Sequence, residues 1–236
     1  MTPAGRLGVG VIGGGRVGPV IATALGGAGH AVVGVATADE ANRERVEAML
    51  PGVPILPIPE LVERSELVVI AIPEDQLEPL VAGLAATGAW QPGQLVLHTA
   101  PGVGTGVLAP AARAGAIPLA VHPAMVFTGT SLDLVRLRES WCAVTAPNPV
   151  LPIAQALVLE MGAEPLVVAE ADRPAWGEAV ATATAFSAEI VRQSASILAG
   201  IGVESPRSVL GPVLRSSLET ALGSPPPLDA GPLELD

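Results

Sequence analysis

The chain contains no lysine and no tyrosine, and its one cysteine is Cys142. Without lysine there is no Schiff-base chemistry, no ammonium acid or base, and no lysine clamp of a Walker-type phosphate loop. Without tyrosine there is no phenolic acid. A lone cysteine excludes an intramolecular disulfide framework and a cysteine metal cluster. Basic residues are also scarce: 12, all arginine, against 23 acids, giving a net charge of −11. Nucleic-acid binding rests on neutralising several phosphates, so no nucleic-acid partner is expected. No window approaches the roughly 18 uninterrupted apolar residues of a membrane span, so no membrane partner is expected either.

Half of the 236 residues are hydrophobic, enough to close a substantial core. The length fits one large α/β domain with a smaller appendage. The start, Met1-Thr2-Pro3-Ala4-Gly5-Arg6, runs straight into an apolar segment without a cleavable hydrophobic core of signal-peptide type. A cytoplasmic protein is expected.

Short β-branched runs alternate with Ala/Leu-rich stretches of helical period. Residues 7–12, 31–36, 67–72, 95–98, 117–121, 142–145 and 166–168 read as strands. Helices are expected at 17–28, 39–50, 74–86, 106–114 and 150–161. This alternation predicts an α/β, Rossmann-type, doubly wound and mostly parallel sheet. Residues 51–57, with three prolines, read as a short strand trapped between turns. The pattern changes near Glu170. Residues 173–199 read as one long helix, and Ser205 with Pro206 starts another that Gly211-Pro212 breaks or kinks. The expected division is residues 1–170 as a nucleotide-binding domain, 171–222 as an all-helical dimerisation segment, and 223–236 as a flexible tail. A helical segment this small cannot bury its own apolar faces. A homodimer is therefore expected, with the substrate cleft between one subunit's sheet and the other's helix.

Strand 7–12 leads into Gly13-Gly14-Gly15-Arg16-Val17-Gly18 and then a helix. This is G-x-G-x-x-G in the setting a dinucleotide site requires. Gly13 permits the tight turn, Gly15 admits a pyrophosphate, and Gly18 lets helix and strand pack closely. The free N–H groups of the helix start, with Arg16 and Val17, face the phosphates. A Rossmann-like scaffold with a vestigial site is the plainer alternative. The second strand ends Val35-Ala36-Thr37, neutral where a ribose-binding acid is usual, and Arg43 and Arg45 follow. Thr37 and Arg43 are therefore expected at a 2′-phosphate, making the cofactor NADP (NADPH). The alternative is that the two arginines pair with Glu40 and Glu47 on a solvated face. Ile72 and Pro73, closing the third strand, border the cofactor.

His98 and His122 both end strands, at the edge where such sheets bind ligands. His122 followed by Pro123 is held extended and is the expected acid toward a carbonyl or imine, with Thr99 assisting. His98 is a second catalytic candidate, or a buried residue bonded to backbone. His30 lies on the opposite edge and reads as structural. Arg136 and Arg138 either hold a substrate carboxylate or pair with Asp133 and Glu139.

Residues 8–127 resemble the superfamily of 6-phosphogluconate and 3-hydroxyisobutyrate dehydrogenases, pyrroline-5-carboxylate reductase and prephenate dehydrogenase. Within it the chain is most similar to a Rossmann-like family of unassigned function (DUF2520). The resemblance rests on Gly13 through Pro19, on residues 84–93, on His98-Thr99, and on residues 122–130. It implies NADP(H) binding and a dimerising helical C-terminal domain. The chain differs at His98-Thr99-Ala100-Pro101, where the family has His-Thr-Ser-Gly. It also differs at residues 181–186, where the family's long helix carries His and Asn. Two functions follow: an NADP(H)-dependent oxidoreductase of a small carbonyl or imine, with or without a carboxylate, or a non-catalytic NADP(H)-binding sensor or partner subunit.

Overall fold

The computed structural model describes residues 6–223. The tail expected after Gly223, and residues 1–5, lie outside it. Seven strands, β1 (Gly8–Ile12), β2 (Ala31–Ala36), β3 (Leu67–Ile70), β4 (Leu95–His98), β5 (Ile117–Pro123), β6 (Trp141–Thr145) and β7 (Glu164–Val167), form one sheet of order β2-β1-β3-β4-β5-β6-β7. Strands β1 to β5 are mutually parallel, β6 runs antiparallel to β5, and β7 is parallel to β6. The inner strands read as unbroken apolar runs because both faces are covered. Val9, Val11, Leu67, Val69, Leu95 and Leu97 belong to one buried cluster. Ile12, Val68, Ile70 and Val96 belong to another.

Helices α1 (Gly18–Gly27), α2 (Glu40–Met49), α3 (Ile58–Glu63), α4 (Glu74–Ala86), α5 (Ala109–Arg113), α6 (Leu132–Arg138) and α7 (Leu151–Glu160) connect the strands. Asp39 caps α2 by accepting the Ala41 N–H at 3.0 Å, satisfying one of the free donors of a helix start. The expected helix at 106–114 is instead a 3-10 turn, Thr105–Leu108, followed by α5. Pro110 in the first turn of α5 cannot supply the N–H that would extend an α-helix backward.

The strand expected at 51–57 is reduced to a single bridge, Val35 to Ile55. Val35 N–H donates to the Pro54 carbonyl at 3.0 Å and Leu56 N–H to the Val35 carbonyl at 3.0 Å. Prolines 51, 54 and 57 lack the donors that would prolong the ladder.

The long helix α8 (Arg173–Gly200) and α9 (Pro206–Gly223) complete the described chain. Two compact units divide inside α8, one through Val180 and the other from Ala181. In the second unit the turn that closes α8 carries Gly202 at φ +87°; the Val203 N–H returns to the Leu198 carbonyl at 3.0 Å, as glycine-terminated helices do. The break expected at Gly211-Pro212 does not occur, and α9 continues through Pro212. Proline there removes one bond, to the Ser208 carbonyl, on a helix whose residues are largely exposed and so open to water. Among the described residues no helix is long and apolar enough to cross a membrane.

Candidate functional site

Between β1 and β3 the chain reverses its direction of winding across the sheet. Ligands in such sheets bind at the carboxyl ends of the strands beside that switch. Gly13 leaves β1 at φ +116°, and a side chain there would strike the Ala71 carbonyl oxygen. A side chain at Gly14 would lie 2.8 Å from Thr37 Cβ, and one at Gly18 would strike the Gly13 carbonyl. At Gly15 it would meet nothing within 4 Å. Three of the glycines are thus required by the turn itself. Gly15 alone keeps a space open above the loop, which is the cradle a pyrophosphate needs.

Two cavities meet at this loop and share Gly15, Ala71, Ile72 and Pro73. The first, about 670 Å³, also has Thr37, Asp39, Asn42, Leu56 and Gln76 in its wall. The second, about 520 Å³, is walled by Arg16, Val17, Glu74, Thr99, His122, Met125 and Phe127. Two cavities of similar size therefore flank one gap at Gly15. The described residues fit a dinucleotide. They include no cluster of His, Cys, Asp or Glu able to hold a metal ion.

Of the expected site residues, Gly13, Gly15, Thr37, Ile72 and Pro73 line the first cavity. Arg16, Val17, Thr99 and His122 line the second. Gly18 opens α1 and packs on Gly13. Two expectations are corrected, at Arg43 and His98, and the reading left open at Arg136 and Arg138 is decided. Arg43 Nε lies 3.5 Å from Glu40 Oε2 on an exposed face and lines neither cavity. His98 is fully buried, with Nε2 2.9 Å from the Gly104 carbonyl and Nδ1 accepting the Ala100 N–H at 3.2 Å. With both nitrogens occupied it has a structural task, and burial pushes its pKa down to about 4. Arg136 Nη1 pairs with Asp133 Oδ1 at 3.3 Å, and Arg138 packs beside Gly162, so neither reaches the cavity at His122. His30 is structural as expected: Nδ1 accepts the Leu7 N–H and Nε2 lies 2.7 Å from Glu160.

His122 is the chemical centre of the second cavity. Its Nδ1 accepts the Trp176 Nε1–H at 3.1 Å, the first turn of α8 supplying the indole. An Nδ1 that accepts leaves the hydrogen of a neutral ring on Nε2. Nε2 has no hydrogen-bond partner among the described residues. It also escapes full burial, since the sole wholly buried, unpartnered side-chain N or O among the described residues is Arg173 Nη1. Burial, with the nearby Arg173 and His98, pushes the His122 pKa down to about 4. The ring is therefore neutral at pH 7 and offers a hydrogen-bond donor rather than a full positive charge. Thr99, just past β4, adds a hydroxyl with no hydrogen-bond partner among the described residues.

Arg173 and Trp176 stand beside this cavity, and the sequence did not single them out. Arg173 is fully buried. Nε donates to Thr145 Oγ1 at 2.7 Å, and Nη2 to the Ala120 and Ala143 carbonyls at 2.6 and 3.1 Å. It ties β5, β6 and the start of α8 together and places a cation behind His122.

The loop after His122 is fixed by Asp133, whose carboxylate is fully buried. It accepts the N–H groups of Thr128 and Gly129 at 2.7 and 2.8 Å and the Thr128 hydroxyl at 2.9 Å. Burial works to raise the Asp133 pKa, but these donors outweigh it and hold it below the usual carboxylate value.

A Rossmann-like domain model matches residues 2–123, and a model of the domain of unknown function DUF2520 matches residues 140–234. No curated protein matches by sequence. Among solved structures, a candidate NADP oxidoreductase from Bacteroides fragilis is similar at TM-score 0.78 and 16% identity, covering 96% of this chain and 85% of that one. Pyrroline carboxylate reductase from Plasmodium falciparum, with NADP bound, gives TM-score 0.67 and 14% identity, covering 94% and 82%. An imine reductase from Pseudomonas sp. gives 0.66 and 14%, covering 92% and 75%. At these identities the likeness is one of fold. The domain matches, the sheet order and the glycine turn agree: the chain belongs to the Rossmann-like family whose C-terminal part is DUF2520.

Proposed function

We propose that the chain is an NADP(H)-dependent oxidoreductase that reduces a small carbonyl or imine compound. The observation that carries this reading is the second cavity, which joins the open gap at Gly15 to the unpartnered Nε2 of a neutral His122. Three structures of like fold support it: one a candidate NADP oxidoreductase, one holding NADP, one an imine reductase.

The backbone N–H groups of Gly15 to Gly18 would hold the pyrophosphate at the start of α1. Thr37 would border the adenosine ribose, and Ile72 with Pro73 would separate the two halves. A bound nicotinamide supplies the hydride. His122 Nε2–H donates a hydrogen bond to the carbonyl oxygen or imine nitrogen, favouring the charge that gathers there as hydride arrives, and the proton that completes the reduction comes from solvent water. The Thr99 hydroxyl is placed to share that task. Met125 and Phe127 exclude water from the reacting atoms.

Fluorescence titration with NADPH and NADH tests the reading, followed by NADPH consumption across a panel of keto acids, aldehydes and cyclic imines. Binding of either nucleotide below millimolar concentration and turnover lost in His122→Ala are expected. Failure of both nucleotides to bind would reject it. Tight binding without turnover would favour a sensor or partner subunit, a reading motivated by the small, unreactive residues 181–185 of α8.

We also propose a homodimer through the second unit. Phe186, Ile190, Ile197, Ile201, Val213 and Leu222 are each about half exposed or more, a larger apolar display than a stable monomer carries. Light scattering at micromolar concentration is expected to give twice the chain mass; a monomer would refute it.

A further inference from the structure

Besides His122, the wall of the second cavity carries two ionisable side chains, Arg16 and Glu74. Glu74 opens α4, where an acid complements the helix dipole, and Asp75 beside it meets the same need. Glu74 alone of the two lines the cavity. Its Oε2 accepts the Gly102 N–H at 3.0 Å. A side chain at Gly102 would lie 3.0 Å from Glu74 Oε1, so the absence of one lets the carboxylate sit close. The loop carrying Gly102 is itself held. A side chain at Gly177 of α8 would lie 2.7 Å from Gly102 Cα, and His98 Nε2 meets the Gly104 carbonyl at 2.9 Å. The Glu74 carboxylate is thus fixed by backbone rather than free to swing.

Among the described residues Glu74 has no ion-pair partner, and its Oε1 takes no hydrogen bond. Cations able to take a substrate carboxylate are scarce in the same wall. Arg43 is paired with Glu40 and Arg136 with Asp133, while Arg173 is fully buried and lines neither cavity. Arg16 sits in the turn after Gly15, where a bound dinucleotide places its phosphate charges. With the cofactor in place, the charge left facing the substrate is that of Glu74. An anionic substrate meets repulsion there and a cationic one attraction. Hydrogen bonds between ammonium and carboxylate are also roughly twice as strong as neutral ones.

Resting on the reductase reading above, we propose that Glu74 receives an ammonium group of the substrate, which is a small ketone or aldehyde bearing an amine rather than a keto acid. The carbonyl faces His122 and Thr99 while the ammonium lies against Glu74 Oε1. The carbonyl carbon takes hydride from NADPH and its oxygen takes a proton from water, giving an amino alcohol and NADP⁺. The ammonium is unchanged. A neutral His122 suits this division, since a second cation in the cavity would oppose the ammonium.

The test is NADPH consumption by the full chain with two matched sets of ketones. One is meta-acetylbenzylamine, meta-acetylbenzyl alcohol and meta-acetylbenzoate; the smaller is aminoacetone, hydroxyacetone and pyruvate. In at least one set kcat/KM for the amine is expected to exceed that for the alcohol about tenfold, the worth of one charge-assisted bond, with the carboxylate poorest. Glu74→Gln, checked for an unchanged circular dichroism spectrum, is expected to erase that preference, chiefly through KM of the amine. Glu78→Gln, one turn further along α4 and outside the wall, keeps it. The wild-type ranking decides even where the Glu74 variant does not fold. No preference for the amine in either set, a preference that survives Glu74→Gln, or one lost equally in Glu78→Gln would overturn the assignment and leave the reductase standing. So would turnover of other carbonyls or imines with none of either amine. A chain that consumes NADPH with no carbonyl or imine at all would overturn both.

Discussion

Trp176 and His122, 54 residues apart in sequence, meet edge to face, with ring centroids 6.2 Å apart and planes at 78°. The indole N–H pins Nδ1 as an acceptor and so decides which tautomer a neutral imidazole adopts. Trp176→Phe keeps the ring and removes the donor. Turnover is expected to fall about tenfold with KM little changed, the worth of one positioning hydrogen bond of about 1 kcal/mol. The ¹⁵N shifts of His122 should move toward a mixture of tautomers. Unchanged shifts would make the indole merely a packing partner.

Acid should weaken the first compact unit before its carboxylates titrate. His98 and His122 both have pKa values lowered from 6.5 to about 4, chiefly by burial. Between those values the unfolded chain binds more protons than the folded one, so stability rises with pH. Their contribution is fully present above pH 6.5 and lost as pH falls toward 4. For His98 it is on the order of 3 kcal/mol. Urea midpoints from pH 7.5 to 4 should drop accordingly, and less so in His122→Gln. A flat profile across this window would count against two neutral histidines.

Gly15 and Gly13 should part company on mutation. Gly15→Ala meets no atom in the chain and is expected to melt like wild type while binding no dinucleotide, since the methyl fills the cradle. Gly13→Ala combines φ +116° with a clash against Ala71 and should destabilise by several kcal/mol. Thermal melts and nucleotide titration read the two effects separately; a Gly15→Ala variant that binds normally would remove the phosphate from that gap.

Asp133→Asn replaces an acceptor of four hydrogen bonds by a group that accepts on one atom only. A loss of about 2 kcal/mol is expected from the bonds broken, with faster amide exchange at Thr128 and Gly129. Exchange rates unchanged at those two amides would show that the loop holds its form without the carboxylate.

The strand pattern was legible because burial on both faces leaves long β-branched runs between glycine and proline turns. The six residues of α3 and seven of α6 were not: neither makes two turns, and Pro57 and Pro59 read as loop. The glycine turn carried its own context. Arg43 did not, because a cation three residues after Glu40 on one helix suits an ion pair as well as a phosphate. Trp176 scanned as one apolar residue on a long helix. Its meeting with His122 is made by the way α8 begins against β5, a contact no local period records.

The prolines that reduce residues 51–57 to one bridge also bear on how the molecule lives among its copies. A free sheet edge is a template for a foreign strand, and its N–H groups are the bait. Here the outermost segment beside β2 has three prolines in seven residues, so it offers few donors to any neighbour. That flank of the sheet is sealed against self-propagating pairing, and fibre growth from it is disfavoured in crowded conditions.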